Sequence, residues 1–250
     1  MTNQRGSVFI YILIGIALFA ALSFAISQSV RLSSDSSGGV IGDSEKATAT
    51  VLDVQQFLEA VKMRVFQLTS SNSVSENMID FQNDFFLLAN DTAITNNING
   101  SCLTNECHVF SPYGSEGLIP FIFQAAANTT EQTTAILPKN GHGQVRQIIM
   151  NGIGTPAPEL LFLIHGIKPT ICNLYNLRQG ITTNYDSTTT LTSIGETATS
   201  IPANFTGSYN TVNNFGTGAT NFAGKKSFCA PAYADIFGSR LAIWHVVKIR

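Results

Sequence analysis

The longest apolar run comes first. Residues 7–30 read Ser-Val-Phe-Ile-Tyr-Ile-Leu-Ile-Gly-Ile-Ala-Leu-Phe-Ala-Ala-Leu-Ser-Phe-Ala-Ile-Ser-Gln-Ser-Val, without a charge. Residues 8–26 have the length that a helix needs to cross a bilayer core. An isolated segment in lipid satisfies its backbone only as a helix, so the pattern predicts a transmembrane helix over 7–30. Residues 31–43 are rich in Ser and Gly, which predicts a flexible linker. From Ser44 the pattern changes. Val51, Val54, Phe57, Leu58, Val61, Val65 and Leu68 recur at spacings of three and four, while Lys46, Asp53, Glu59, Lys62 and Arg64 fill the other positions. This predicts an amphipathic helix over 44–70 whose stripe lies on a sheet.

Further on, apolar runs are short and bounded by Gly, Pro and Asn. Residues 107–110, 118–123, 144–150 and 160–164 read as strands. A short helix is expected within 75–88. Gly141-His142-Gly143 reads as a hairpin turn. A second short helix is expected over 170–179, after Lys168-Pro169 and before Gly180. Residues 181–227 are dominated by Thr, Asn, Gly and Ser, with single scattered aromatics. They read as a long decorated loop or irregular hairpins. Residues 240–249 are apolar on both faces, which predicts a buried final strand. The expected fold class is α+β: an N-terminal transmembrane helix, a second amphipathic helix, then a globular head with a mainly antiparallel sheet. The domains are a leader at 1–6, the span at 7–30, the linker at 31–43 and a head over 44–250, whose β-rich part covers 102–250.

Composition narrows the setting. Only 12% of residues are charged, about half the usual share of a soluble chain. The net charge of −2 gives no electrostatic case for nucleic acid as a partner. Surface polarity must come from Asn, Thr, Ser and Gln. The four cysteines are Cys102, Cys107, Cys172 and Cys229. An even count behind an export signal reads as disulfides. Cys102 and Cys107 enclose only Leu-Thr-Asn-Glu and form the natural local pair. That leaves Cys172 with Cys229, a closure worth about 4 kcal/mol on chain-entropy grounds. The rival is a four-cysteine zinc site, against which stands the lack of any Cys-x-x-Cys knuckle. Arg5 and the initiator amine precede the span, while Arg31 follows it with Asp35 and Asp43 close behind, a slight lean to the N-terminus inside and the head outside.

Three readings of the N-terminus compete. Ser23-Phe24-Ala25 offers a small-x-small cleavage site for a secretory signal, although the apolar core is longer than such signals carry. A plain single-pass anchor is the second. The third rests on Arg5-Gly6, which lie immediately before the apolar run. This short basic leader ending in Gly, followed at once by an apolar helix, resembles the prepilin signal of type IV pilins and type II secretion pseudopilins. The resemblance covers about the first thirty residues. It implies cleavage by a prepilin peptidase between Gly6 and Ser7, a helix retained in the mature protein, and a filament built on that helix. It also implies a linker that melts on assembly, a spine helix against the head's sheet, and a variable surface loop between the last two cysteines. One position departs from the family. The fifth residue of a mature major pilin is normally Glu, which pairs with a neighbour's terminal amine; here it is Tyr11. Some minor pilins and tip pseudopilins also lack that Glu.

Chemistry-bearing patterns are sparse. His108, His142, His165 and His245 are isolated, and none forms a ligand pair at helical spacing; His245 reads as a packed core residue. Gly114-Ser115-Glu116-Gly117 is not a nucleophile elbow. Gly152-Ile153-Gly154 lacks the third glycine of a dinucleotide loop. No Walker motif or Asp-rich calcium loop occurs. The expectation is no catalytic residue, no metal and no cofactor. The expected role is structural: a minor pilin or pseudopilin of the bacterial inner membrane, its head in the periplasm or a surface filament, partnered by other pilin-like subunits. The alternative is a single-pass anchored binding module with no filament role.

Overall fold

The computed structural model describes residues 39–87, 94, 98–111, 113–114, 116–128, 140–186, 189, 203–205, 207–209, 214–215, 222–232 and 240–250. A long helix, α1 (Gly39–Ser70), comes first. Short 3-10 turns at Glu76–Met78 and Asn105–Cys107 punctuate the irregular stretch behind it. Then follow β1 (Gly143–Met150), β2 (Glu159–His165), α2 (Pro169–Arg178), β3 (Ala203–Asn204), β4 (Asn214–Phe215), β5 (Ser227–Pro231) and β6 (Leu241–Lys248).

The sheet runs β3-β1-β2-β6-β5, antiparallel throughout, and β4 pairs in parallel with the end of β1. Val145, Phe162, His245 and Ser227 stand opposite one another across β1, β2, β6 and β5. Residues opposite in an antiparallel ladder share a face, so this row points to one side. The next row, Gln144, Leu163, Trp244 and Phe228, points to the other. Every residue of β2 is buried, so the sheet is covered on both sides.

On the first side lies α1. Its buried stripe is Val51, Val54, Leu58, Val61, Val65 and Leu68. Phe57 of α1 meets Phe162 of β2 at a ring separation of 6.0 Å, and Phe81, Phe86 and Phe110 complete the cluster around Phe162. Short α2 covers β5 on the same side, where Cys172 is bonded to Cys229. Asn176 fastens the contact: its Nδ2 donates to the Cys229 carbonyl at 2.8 Å and its Oδ1 accepts from the Cys229 amide at 2.7 Å. On the second side Phe215, Phe222, Phe228 and Trp244 stack together.

The expected fold class needs correction. Among the described residues no helix is long and apolar enough to cross a membrane. The one long helix, α1, carries Asp43, Glu45, Lys46, Asp53, Glu59, Lys62 and Arg64 along its length, and charge so dense is costly in lipid. The span expected over 7–30 lies outside the described residues, as do residues 31–38 of the expected linker. Gly39–Asp43, the rest of that linker, are helical, so α1 starts five residues before Ser44.

The strands expected at 107–110 and 118–123 are not strands. They make single parallel bridges, Asp80 to His108 and Phe110 to Leu118. Pro120 has no N–H to offer a ladder, which breaks the second run. The helix expected within 75–88 shrinks to the turn Glu76–Met78. Gly141, at φ +81°, leads the chain into β1; the β1–β2 hairpin instead turns through Asn151–Pro158. Strand β5 was not expected, and it starts at the last residue of the presumed loop.

Candidate functional site

The four candidate cysteines come together in two pairs. Cys102 is bonded to Cys107, and Cys172 to Cys229, with no free cysteine left. These are the pairs that the spacing suggested. His108 lies beside Cys102 and Cys107, but thiols held in a disulfide have no thiolate to offer a metal. Gly6, Ser7 and Tyr11 lie outside the described residues.

A polar row crosses the core between α1, α2 and the sheet. Ser227 Oγ lies 3.0 Å from His245 Nδ1, and it also contacts the Tyr175 hydroxyl and donates to the Trp244 carbonyl. His245 Nε2 stands 3.8 Å from Glu59 Oε1 on α1. Serine, histidine and carboxylate in a row resemble a hydrolytic triad only on paper. Ser227 Oγ is already engaged by the Tyr175 hydroxyl and the Trp244 carbonyl. Burial pushes the His245 ring down to about 4, against the opposing pull of Glu59, and so weak a base is ill matched to neutral pH. The row's hydrogen bonds join α2, β5 and β6, and Glu59 of α1 only approaches it.

A second buried polar cluster ties the irregular stretch together. His108 Nδ1 lies 2.7 Å from Asp80 Oδ2, and Asp80 Oδ1 accepts from the Asn99 amide at 2.6 Å. Asn99 in turn donates to the Asn77 and Ile79 carbonyls. Burial raises the Asp80 carboxyl above its ordinary value in spite of these partners.

The low affinity of His245 for protons has a pH consequence. In the unfolded chain this ring takes a proton near pH 6.5, while the folded one stays neutral down to about 4. Its folded pKa is depressed, so stability is lost as pH falls through that window. His165 acts in the same sense, held well below its ordinary value by burial and by the fields of Arg146 and Arg240. Asp80 and Glu159, both raised by burial, act in the opposite sense at the acid end. The expected loss from His245 between pH 7 and pH 5 is about 2 kcal/mol. Urea unfolding at the two pH values reads it, and His245→Gln should reduce the difference by about that amount, leaving the part due to His165. Equal loss in His245→Gln and the parent chain would contradict it.

The surface feature with the clearest capacity to bind is on the outer flank of α1. A cleft of about 590 Å³ runs between α1 and the 119–123 segment, lined by Asp53, Gln56, Phe57, Ala60, Ile119, Phe121 and Phe123. A second, of about 440 Å³, continues past Ala60 along Met63, Arg64, Phe66, Gln67, Ser71, Glu116 and Leu118. Met63, Phe66, Ile119 and Phe121 are 60, 59, 78 and 53% exposed. Exposed apolar side chains gathered at clefts are a feature of interaction sites.

Sequence reasoning missed this flank. Phe57 was placed in the buried stripe but is half-buried at the cleft wall, beside Phe110 and Phe123. Arg64 stands among the positions outside the apolar stripe. It is buried along the second cleft, its Nη1 3.1 Å from Gln67 Oε1 and 3.7 Å from Glu116. The available signal was the alternation of Ile119 and Phe121 with Pro120 and Ile122, which cannot all be core once Pro120 breaks the strand.

No family model, curated protein or solved structure matches the chain.

Proposed function

We propose that this chain is a minor, pilin-like structural subunit of a type IV pilus or type II secretion-type filament. A prepilin peptidase cuts it between Gly6 and Ser7. Its apolar N-terminal segment then holds it in the bacterial inner membrane and joins it to other pilin-like subunits, with the head in the periplasm or on a surface filament. The observation that carries this reading is the leader: Arg5-Gly6 abut an uncharged run of the length of residues 8–26. The head supports it, since a 32-residue helix lies with its apolar stripe over an antiparallel sheet. Two disulfides suit an oxidising compartment. No catalytic role is assigned to the head.

Tyr11 sets the expected abundance. A subunit inserted between neighbours neutralises a terminal amine with a carboxylate; a first subunit has no neighbour above it that needs one. A tyrosine at that position carries no charge and little desolvation cost, which suits a tip. Counting subunits in purified filaments is expected to find this chain as an infrequent component, and finding it as the bulk component would contradict the tip assignment.

The apolar flank of α1 is the observation that favours the second reading, an anchored binding module without a filament. In that case the chain stays in the membrane fraction and is absent from sheared filaments.

A further inference from the structure

We propose that Cys102, Cys107 and His108 form a redox-gated zinc site, closed while the two cysteines are bonded and able to hold one zinc ion once a dithiol has reduced them. The inference does not rest on the filament reading.

The ligand atoms are already gathered. The two sulfurs and a ring nitrogen of His108 lie within 4.8 Å of one another. Two thiolates and an imidazole are a donor set that zinc takes, with a fourth position left to water. A disulfide keeps its sulfurs about 2 Å apart, too close to share a metal. Two Zn–S bonds of about 2.3 Å at a tetrahedral angle need roughly 3.8 Å between the sulfurs. Reduced sulfurs cannot stay at bonding distance, so breaking the bond moves them toward the separation that zinc requires. The Cα atoms, 5.7 Å apart, can stay where they are.

The surroundings suit a ligand histidine. Asp80 is buried, and its Oδ2 lies 2.7 Å from His108 Nδ1. A carboxylate in that place orients a metal-binding imidazole and strengthens it as a donor. Backbone bonds keep Asp80 in register with the site: its amide donates to the Cys107 carbonyl, and its carbonyl accepts from the Val109 amide. Asp80 Oδ1 accepts from the Asn99 amide, and the Asn99 carbonyl accepts from the Cys102 amide. Both cysteines are thus tied to the residue that faces the histidine. The Thr104 carbonyl oxygen also faces the sulfurs, 2.9 Å from Cys107 Sγ and 3.4 Å from Cys102 Sγ. Negative ends on several sides favour a bound cation over a bare thiolate, which argues for a metal site over a catalytic thiol.

Access decides which disulfide opens. Cys102 is half-buried and leads into the exposed stretch Leu103, Thr104, Asn105 and Glu106, whereas Cys172 and Cys229 are both buried. A thiolate of the dithiol attacks Cys102 Sγ, and Cys107 leaves as a thiolate that takes up a proton. The second thiol of the reductant then displaces Cys102 from the mixed disulfide. Two electrons pass to the protein, and the dithiol ends as a disulfide. Zinc displaces two protons as it binds the two thiols.

The test uses the full chain purified in detergent. Mild dithiothreitol is expected to open Cys102–Cys107 and leave Cys172–Cys229 bonded, as peptide mapping reads. Zinc chloride is then added to the reduced and to the oxidised chain, and bound metal is counted by elemental mass spectrometry. One zinc is expected on each reduced chain and none on the oxidised chain, with alkylation of Cys102 and Cys107 slowed by the metal. His108→Ala and Asp80→Asn should each weaken zinc binding by about tenfold or more. The urea midpoint reads whether each variant is folded, and Cys102→Ser, at a half-buried position, replaces one that is not. A folded, reduced parent chain that binds no zinc overturns the inference. So does zinc on the oxidised chain, or an undiminished affinity in a folded variant. Opening of Cys172–Cys229 first would overturn the gating.

Discussion

Replacing Phe162 with alanine is expected to lower the stability of the head by about 4 kcal/mol. Phe162 sits at the centre of the face that α1 covers. Its ring lies 6.0 Å from Phe57, 6.2 Å from Phe81, 5.8 Å from Phe86 and 5.9 Å from Phe110. Truncation leaves a void among four aromatic rings held by three separate segments, and such a site collapses poorly. The neighbouring strand shows how little slack there is: a Cβ added at Gly143 would stand 2.3 Å from Phe162 Cζ. The urea midpoint should fall while the denaturant slope stays constant, since the surface exposed on unfolding is nearly unchanged. A loss below about 1 kcal/mol would show that the cluster is not the core of the head.

The second large effect is expected at the Cys172–Cys229 disulfide. The two residues are 57 positions apart, and chain-entropy reasoning assigns a loop of that size about 4 kcal/mol. The bracketed segment includes Phe215 and Phe222, which cover Trp244 and Phe228. Freeing it therefore enlarges the unfolded ensemble and also loosens one cover of the sheet. Cys172→Ala/Cys229→Ala is expected to lose about 4 kcal/mol, and Cys102→Ala/Cys107→Ala, which opens a loop of only 5 positions, about half as much. Equal losses in the two double variants would contradict the loop-size argument. Thermal or urea unfolding of both, side by side, reads the comparison.

Much of this architecture was legible because local pattern and burial agree. The three- and four-residue spacing of Val51 through Leu68 is a helix signal, and all of those residues except Phe57 form the buried stripe of α1. The apolar runs around Leu161 and Trp244 became β2 and β6, the strands covered on both faces. Other elements depend on partners far away in sequence. Strand β5 is five residues ending in Pro231, tolerable at an edge, and it reads as a strand only once Phe228 is seen to stack on Phe222 and Trp244. Aromatics scattered singly through a Thr- and Asn-rich segment carry no period, so Phe215 and Phe222 gave no local hint of a shared cluster. The reverse error occurred at 118–123, where a good apolar pattern was defeated by one proline.

The candidate surface was legible in part. The disulfides followed from spacing, since small loops close readily. The clefts along α1 did not, because they depend on which flank the 116–123 segment lies against. Arg64 shows the reason: a charged residue at a helix position outside the stripe reads as solvated, yet Glu116 and Gln67 make its burial tolerable. The polar row of Tyr175, Ser227, His245 and Glu59 likewise joins four separate elements and has no sequence signature.

The central claim, a pilin-like subunit, is tested most directly by the mass of the mature chain purified from a bacterium that carries a prepilin peptidase. The account predicts an N-terminus at Ser7, with or without a methyl group on its amine. An intact Met1 would contradict that processing and leave a plain anchor, and an N-terminus at Ile26 would contradict both and make the chain a secreted protein.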